Sequence, residues 1–293
     1  MLNYAAETHR GNIRKLNEDC YEADPEHGLW LVADGVGGHA CGDVASELTR
    51  ATIKSVYHRS GDLVEAIEAA HQAVLAAIKR REGGANMGST VVAAAIDGHN
   101  YQIAWVGDSR AYLWNGKLRL LSTDHSYVEA LVAKGVITRA EAFKHPKRNI
   151  ITQSIGVSAD SGLKVDTVSG TLAAGERLLL CSDGLNDELE DHLIADTLGQ
   201  HISPQQQVKH LLEGALTNGG RDNVTIIVID PTEKAGQAQA EDIATPSSEQ
   251  DNEELDMSGH TIVMTAGSDF PTDESEGKTR LGRLFSSIKN KFK

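Results

Sequence analysis

Apolar positions recur along this 293-residue chain with two periods, one near two and one near three and a half. Short β-branched runs at 30–33, 90–96, 102–106, 111–114, 118–121, 178–181 and 224–229 predict strands. Asp97-Gly98 and Asn115-Gly116 each sit between two such runs and read as hairpin turns, because Gly accepts positive φ and Asp or Asn bonds its own backbone. Consecutive hairpins between 90 and 121 imply an antiparallel sheet and argue against a doubly wound parallel fold. The longer period appears at 43–57, with Val44, Leu48, Ala51 and Ser55 on one stripe, and at 63–80, with Leu63, Ile67, Ala70, Val74 and Ile78. A third helix is predicted after Ser203, a natural N-cap followed by Pro204 at N1, and Asn218-Gly219 closes it.

One Asp-Gly pair breaks this pattern. Asp34-Gly35 ends an apolar run in "LWLVADGVGGHACGD", but a helix follows it and not a returning strand. "LLLCSDGLND" repeats the arrangement at Asp183-Gly184. Asp108 lies at a strand-to-strand corner in "WVGDSRAYL", and Asp222 directly precedes a strand in "GRDNVTIIVI". Arg14, Asn17, Glu18 and Asp19 gather in a polar N-terminal stretch. Each signal alone has an ordinary reading, a turn, a cap or a surface charge. Together, carboxylates at several strand ends would repel one another unless hard divalent cations neutralised them.

Composition narrows the picture further. The formal net charge of −14 excludes the basic footprint of a general nucleic-acid binder. Three cysteines, Cys20, Cys41 and Cys181, are expected to be reduced, buried thiols. The N-terminal segment has no apolar signal-peptide core, and no run reaches the ~20 apolar residues of a membrane helix. A cytoplasmic protein is expected. From 233 to 277 the chain turns acidic and rich in Ser, Thr, Gln and Gly, which predicts a disordered linker. The final segment, 278–293, reverses the sign. In it Leu281, Leu284, Phe285, Ile288 and Phe292 fall on one stripe of a basic helix.

The ordered segments "THRGNIRKLNED", "VADGVGGHACGDVAS", "MGSTVV", "WVGDSRAYL", "STDHSYVEALVAKGVIT", "RNIITQSIG", "LLLCSDGLND" and "GRDNVTIIVI" span nearly all of 8–230. In them the chain resembles the bacterial metal-dependent Ser/Thr protein phosphatases of the type 2C, or PPM, family. That resemblance implies an α+β fold, a four-layer α-β-β-α sandwich of two antiparallel sheets, for a catalytic domain at 1–232. It implies that Asp34 bridges two Mn²⁺ or Mg²⁺ ions with the carbonyl of Gly35, and that Asp183 and Asp222 complete the second. Glu18 and Asp19 would act through coordinated water, and Asp108 with Asp183 would hold a third ion. Arg14 would grip the substrate phosphate, for which a planar two-pronged donor suits better than Lys.

The implied reaction is hydrolysis of protein phosphoserine or phosphothreonine by water activated between two ions, without a covalent intermediate. No Cys-x5-Arg signature is present to suggest otherwise. The implied partners are phosphoproteins and a Ser/Thr kinase that the enzyme opposes, with no nucleic acid, and a monomer is expected. One departure is Val36, where many eukaryotic relatives carry a histidine proposed as general acid; His39 is the nearest imidazole. Residues 124–156 map to the flap beside the site, where Lys134, Arg139, Lys144, Lys147 and Arg148 outnumber Glu141 between 134 and 148 and could recruit anionic peptides. Two rivals stay open: another two-metal phosphoester enzyme, and a silent family member that only binds. Thr261 is a candidate kinase target. The basic terminal helix would lie reversibly on anionic membrane at the inner face, or instead fold back on the acidic catalytic domain or a partner groove.

Overall fold

The computed structural model describes residues 2–37, 41–157 and 162–233. The chain divides into two compact units, Met1–Lys234 and Ala235–Lys293, and the second lies outside the described residues. So do His39, Thr261 and the linker and terminal helix expected at 233–277 and 278–293, apart from Glu233 itself, which ends the last strand.

Eleven strands are described, in two sheets. The first runs β1 (Leu2–His9), β11 (Val224–Glu233), β10 (Arg177–Cys181), β7 (Arg110–Trp114) and β8 (Leu118–Leu120). The second runs β2 (Asp19–Asp24), β3 (Leu29–Val36), β5 (Val91–Asp97), β6 (Asn100–Val106) and β9 (Asp166–Thr171), with the two-residue β4 (Gly88–Ser89) paired to the end of β3. All these pairings are antiparallel. The β7–β8 hairpin turns around Asn115-Gly116 as the turn chemistry predicts, and the β5–β6 hairpin turns at Gly98-His99, one residue on from the expected pair, since Asp97 still pairs with Asn100.

Period-two alternation makes this a layered molecule. Leu178, Leu180, Ile227 and Ile229 of the first sheet pack in one cluster with Trp30, Val32, Val92 and Ala94 of the second. Their sequence neighbours Leu179, Cys181, Ile226 and Val228 face the other way, into a second cluster with Ile194, Leu198, Leu211 and Ala215. The helices α6 (Asp191–Leu198) and α7 (Pro204–Thr217) supply those four partners and so cover the first sheet. On the second sheet, Leu29, Leu31 and Ala33 are likewise fully buried on the face where α1 (Gly42–Ser60) packs, with α2 (Leu63–Lys79) beside it. The result is the helix–sheet–sheet–helix order of an α+β sandwich. Among the described residues, no helix is long and apolar enough to cross a membrane.

The helix ends follow the chemistry of their caps. Asp62 accepts from the backbone N–H groups of Val64 and Glu65 at the start of α2. Ser203 and Gln206 form a capping box, with Pro204 in the first turn of α7. The start of α1 has no side-chain cap of its own; the N–H of Gly42 reaches Glu18 Oε1 at 3.2 Å instead.

In three places the fold departs from the sequence expectations. The polar stretch from Arg14 ends in a strand, since Asp19 begins β2. Strands β1, β2 and β9 have no clean apolar run to predict them; all three lie at sheet edges, where one side of the ladder is unpaired and a polar sequence is tolerated. Cys20 is only half-buried, because it lies on edge strand β2, whereas Cys41 and Cys181 are buried.

Candidate metal centre

Antiparallel pairing brings the aspartates together. Asp34, near the end of β3, lies directly opposite Asp19 at the start of β2. In the other sheet β10 runs antiparallel to β11, so the end of β10 lies beside the start of β11. Asp183 follows the first and opens the short helix α5 (Asp183–Asn186), while Asp222 precedes the second. Asp108 occupies the corner between β6 and β7, where the chain crosses from one sheet to the other.

Buried hydroxyls and amides fix this edge. Asp19 Oδ2 accepts from Ser182 Oγ and Thr225 Oγ1, both at 2.7 Å, which joins the two sheets. Thr90 Oγ1 and Ser109 Oγ are 2.7 Å apart, and the N–H of Thr90 donates to the Asp34 carbonyl at 2.8 Å. Asn223 holds the N-terminal loop: its Nδ2 donates to the carbonyls of Arg10 and Leu16, each at 2.9 Å, and its Oδ1 accepts from the N–H of Glu18 at 2.8 Å. Gly35 must be glycine, since a Cβ there would run into the carbonyl oxygen of Gly42.

The electrostatics are those of an anionic cluster. Burial raises Asp34 well above the ordinary carboxylate range, and the charges of Asp19, Asp183, Asp108 and Asp222 raise it further. Asp183 is raised in the same way, by burial and then by Asp108, Asp187, Asp222 and Asp19. Burial, with Asp124 nearby, lifts Asp108 to about 7. Burial lifts Asp19 to about 6 although the two hydroxyl bonds oppose it. Asp34, Asp183 and Asp222 retain some exposure, while Asp19 and Asp108 are buried.

The donor set fits divalent cations. Oδ1 of Asp19, Asp43, Asp108 and Asp183 are buried with no hydrogen-bond donor among the described residues. An unpartnered buried carboxylate oxygen is costly, and a hard cation with oxygen ligands is the partner that satisfies it. No three of these carboxylates have donor oxygens all within 4.8 Å of one another among the described residues.

Arg14 stands at the rim. Its Nη2 donates to Asp222 Oδ2 at 2.5 Å, and its side chain is half exposed. Glu18 touches the N-terminus of α1 through Gly42 and is raised by burial first. Val36 follows Gly35 at the end of β3. Beyond Asp108 and Asp183 a cavity of about 430 Å³ opens, lined also by Asp124, Asp187, Arg139 and Arg148. Within 124–156 lie two helices, α3 (Tyr127–Ala133) and α4 (Arg139–Phe143). The basic character expected there is partly neutralised, since Arg139 pairs with Glu129 at 3.0 Å and Arg148 with Asp187 at 3.6 Å.

Sequence reasoning missed the residues that hold the cluster. Asn223, Ser182, Thr225, Thr90 and Ser109 carry no signal of their own, although Asn223 follows a named aspartate and Ser182 precedes one. Asp43 is missed as well; it sits in the first turn of α1, inside the same glycine-rich segment as Asp34.

A family profile described as protein phosphatase 2C matches residues 9–216. The serine/threonine protein phosphatase PstP of Mycobacterium tuberculosis is 37% identical over 238 residues, which cover 78% of this chain and 45% of that protein. The chain therefore spans about half the length of this relative. The serine/threonine phosphatase stp of Listeria welshimeri is 33% identical over 237 residues, covering 76% of this chain and 93% of that one. Among solved structures, the catalytic domain of PstP in complex with two manganese ions superposes with a TM-score of 0.70 at 34% identity, covering 78% of this chain and 97% of that one.

Proposed function

The chain belongs to the protein phosphatase 2C family, and from that premise we propose that it is a metal-dependent protein Ser/Thr phosphatase that opposes a Ser/Thr kinase. The observation that carries the reading is the convergence of Asp19, Asp34, Asp108, Asp183 and Asp222 from both sheets on one edge, with buried oxygens left for cations. Asp34, the carbonyl of Gly35, Asp183 and Asp222 would hold two Mn²⁺ or Mg²⁺ ions, and Asp108 with Asp183 a third. When bound, such ions supply Lewis-acid polarisation of phosphoryl oxygens and water activation near neutral pH.

The chain's own groups do the positioning. The hydroxyls of Ser182 and Thr225 occupy one oxygen of Asp19 and leave the other free to face the centre. Glu18 is held by the start of α1, which orients it without consuming both of its oxygens. Arg14 pairs with Asp222 at the rim, and its half-exposed guanidinium would present two N–H donors to the substrate phosphate. Val36 has no proton to give to the leaving oxygen. The open cavity toward 124–156 leaves room for the polypeptide that carries the phosphate, and the exposed side chains of Ile13 and Leu16 flank Arg14 on the loop.

The test is hydrolysis of p-nitrophenyl phosphate, a phosphothreonine peptide and a nucleic-acid phosphodiester, with Mn²⁺ and with chelator. Mn²⁺-dependent release of phosphate from the first two alone supports the proposal. Cleavage of the diester favours the nuclease reading, and no turnover of any substrate favours a binding module.

A further inference from the structure

At the far end of β2 from Asp19, two imidazoles converge on one buried carboxylate. His27 Nδ1 lies 3.1 Å from Asp24 Oδ1 and 3.2 Å from Oδ2, and His58 Nε2 lies 2.9 Å from Oδ2. The donor atoms of all three residues lie within 4.8 Å of one another. We propose that Asp24, His27 and His58 form a binding site for one divalent transition-metal ion of the zinc class, separate from the carboxylate cluster.

The spacing supports this. In a tetrahedral zinc site with bonds of about 2.0–2.2 Å, neighbouring ligand atoms lie about 3.3–3.6 Å apart. Measured to the shared oxygen Asp24 Oδ2, the two Asp–His separations, 3.2 Å and 2.9 Å, are within a few tenths of an ångström of that edge length. Two imidazoles and one carboxylate also match the borderline preference of zinc, whereas Mn²⁺ and Mg²⁺ favour the all-oxygen set at the other end of the strand.

The scaffold holds these ligands in place. Asp24 ends β2, and its Oδ1 accepts the backbone N–H of His27 at 3.2 Å across the Asp24-Pro25-Glu26-His27 turn. Pro25 fixes φ within that turn. His58 comes from the last turn of α1, where the helix dipole favours a cation. Asp24 is nearly buried, but the side chains of His27 and His58 are 47% and 26% exposed. The open side is therefore free for ion entry and for a fourth, water ligand. Lys54 Nζ is 3.7 Å from Asp24 Oδ2 but only 3.0 Å from Glu22 Oε1, so Glu22 is its nearer partner.

One rearrangement is required. The two rings stack with centroids 3.7 Å apart and planes 18° from parallel, so their lone pairs cannot both point at one ion. Without an ion, both near nitrogens must carry protons, because a carboxylate only accepts. Binding would leave each ring's proton on its far nitrogen, Nε2 of His27 and Nδ1 of His58, release any second proton to solvent and splay the rings, and the more exposed His27 is the one to turn. The ion would clamp the end of α1 to the β2–β3 turn, about 17 Å along the strand from Asp19.

The experiment uses the full chain with its carboxylate centre first saturated with Mn²⁺. Zn²⁺ is then added by equilibrium dialysis, and bound zinc and manganese are counted for the wild type, His27→Gln, His58→Gln and the double variant. The wild type is expected to bind one more equivalent of zinc than the double variant at equal manganese. All four proteins should retain their Mn²⁺-dependent turnover of p-nitrophenyl phosphate before zinc is added. Ring ¹⁵N resonances of His27 and His58 in the wild type should shift on zinc addition, a readout that depends on no variant's folding. Equal zinc counts in the wild type and a folded double variant, or unmoved ring resonances, overturn the site.

Discussion

At the scale of single residues, the carboxylate edge is a place where each side chain has a distinct task. Asp34, Asp183 and Asp222 share the proposed binuclear centre, so Ala at any of them should lower Mn²⁺-dependent turnover by more than about 100-fold. The fold should persist, because these substitutions relieve repulsion that raises Asp34 and Asp183. Asp108→Ala should be milder, since the third ion proposed for it would be the peripheral one. Steady-state p-nitrophenyl phosphate kinetics alongside circular dichroism would check this; full activity in Asp34→Ala would remove it from the centre. Arg14 has a different signature. If it grips phosphate in both ground and transition states, Arg14→Ala should raise KM for a phosphopeptide and lower kcat, and Lys should restore only part of either. Unchanged values of both constants would leave Arg14 as a partner of Asp222 and nothing more.

At the scale of elements, the instructive contact joins α2 to the end of the 124–156 segment. His71 is buried on α2, and its Nδ1 accepts the backbone N–H of Gly156 at 3.1 Å. Gly156 has φ +84, and a Cβ there would also strike Val74, so the segment closes on a residue that only glycine suits. Burial lowers the His71 pKa below its ordinary value. The sign follows directly: the folded state favours the neutral ring, so this contribution is present above about pH 6.5 and is lost as pH falls through the lower folded value. Replacing His71 with Leu orphans the Gly156 N–H and should cost about 1–3 kcal/mol near neutral pH. It should also flatten the acid-side decline. Urea melts of both proteins at about pH 7.5 and about pH 5.5 would measure it, and a parallel decline in the variant would exclude His71 as the source.

At the scale of the whole molecule, the proposed cations would compete with protons for one set of oxygens. Asp108 and Asp19 are raised to about 7 and about 6, so in metal-free protein the folded state binds more protons than the unfolded state over the range above an ordinary carboxylate pKa of ~4. Metal-free stability should therefore fall as pH rises from about 4 to about 7 through these groups. Mn²⁺ binds only the folded state and should raise Tm most near pH 7 and above, with a gain that shrinks as the carboxylates protonate. Thermal melts with Mn²⁺ and with chelator across that range test this; a gain independent of pH would place the ions elsewhere.

The sequence by itself determined the strands with β-branched runs, the three amphipathic helices and the hairpin turns beside Gly98 and Gly116. Those features are local, since period, caps and turn residues act within a few positions of one another. It also made Asp34 and Asp183 conspicuous, because an Asp-Gly without a returning strand violates a local rule. Only the tertiary structure decided that Asp19 stands opposite Asp34, that Ser182 and Thr225 join the sheets through Asp19, and that Asn223 holds the loop bearing Arg14. Edge strands β1, β2 and β9 were equally illegible, because pairing across the sheet and not apolar content makes them strands. The convergence of Asp24, His27 and His58 belongs to the same class. Its third member arrives from α1, 31 residues beyond His27 in the chain, and no local pattern records a distance closed by the packing of a helix on a sheet.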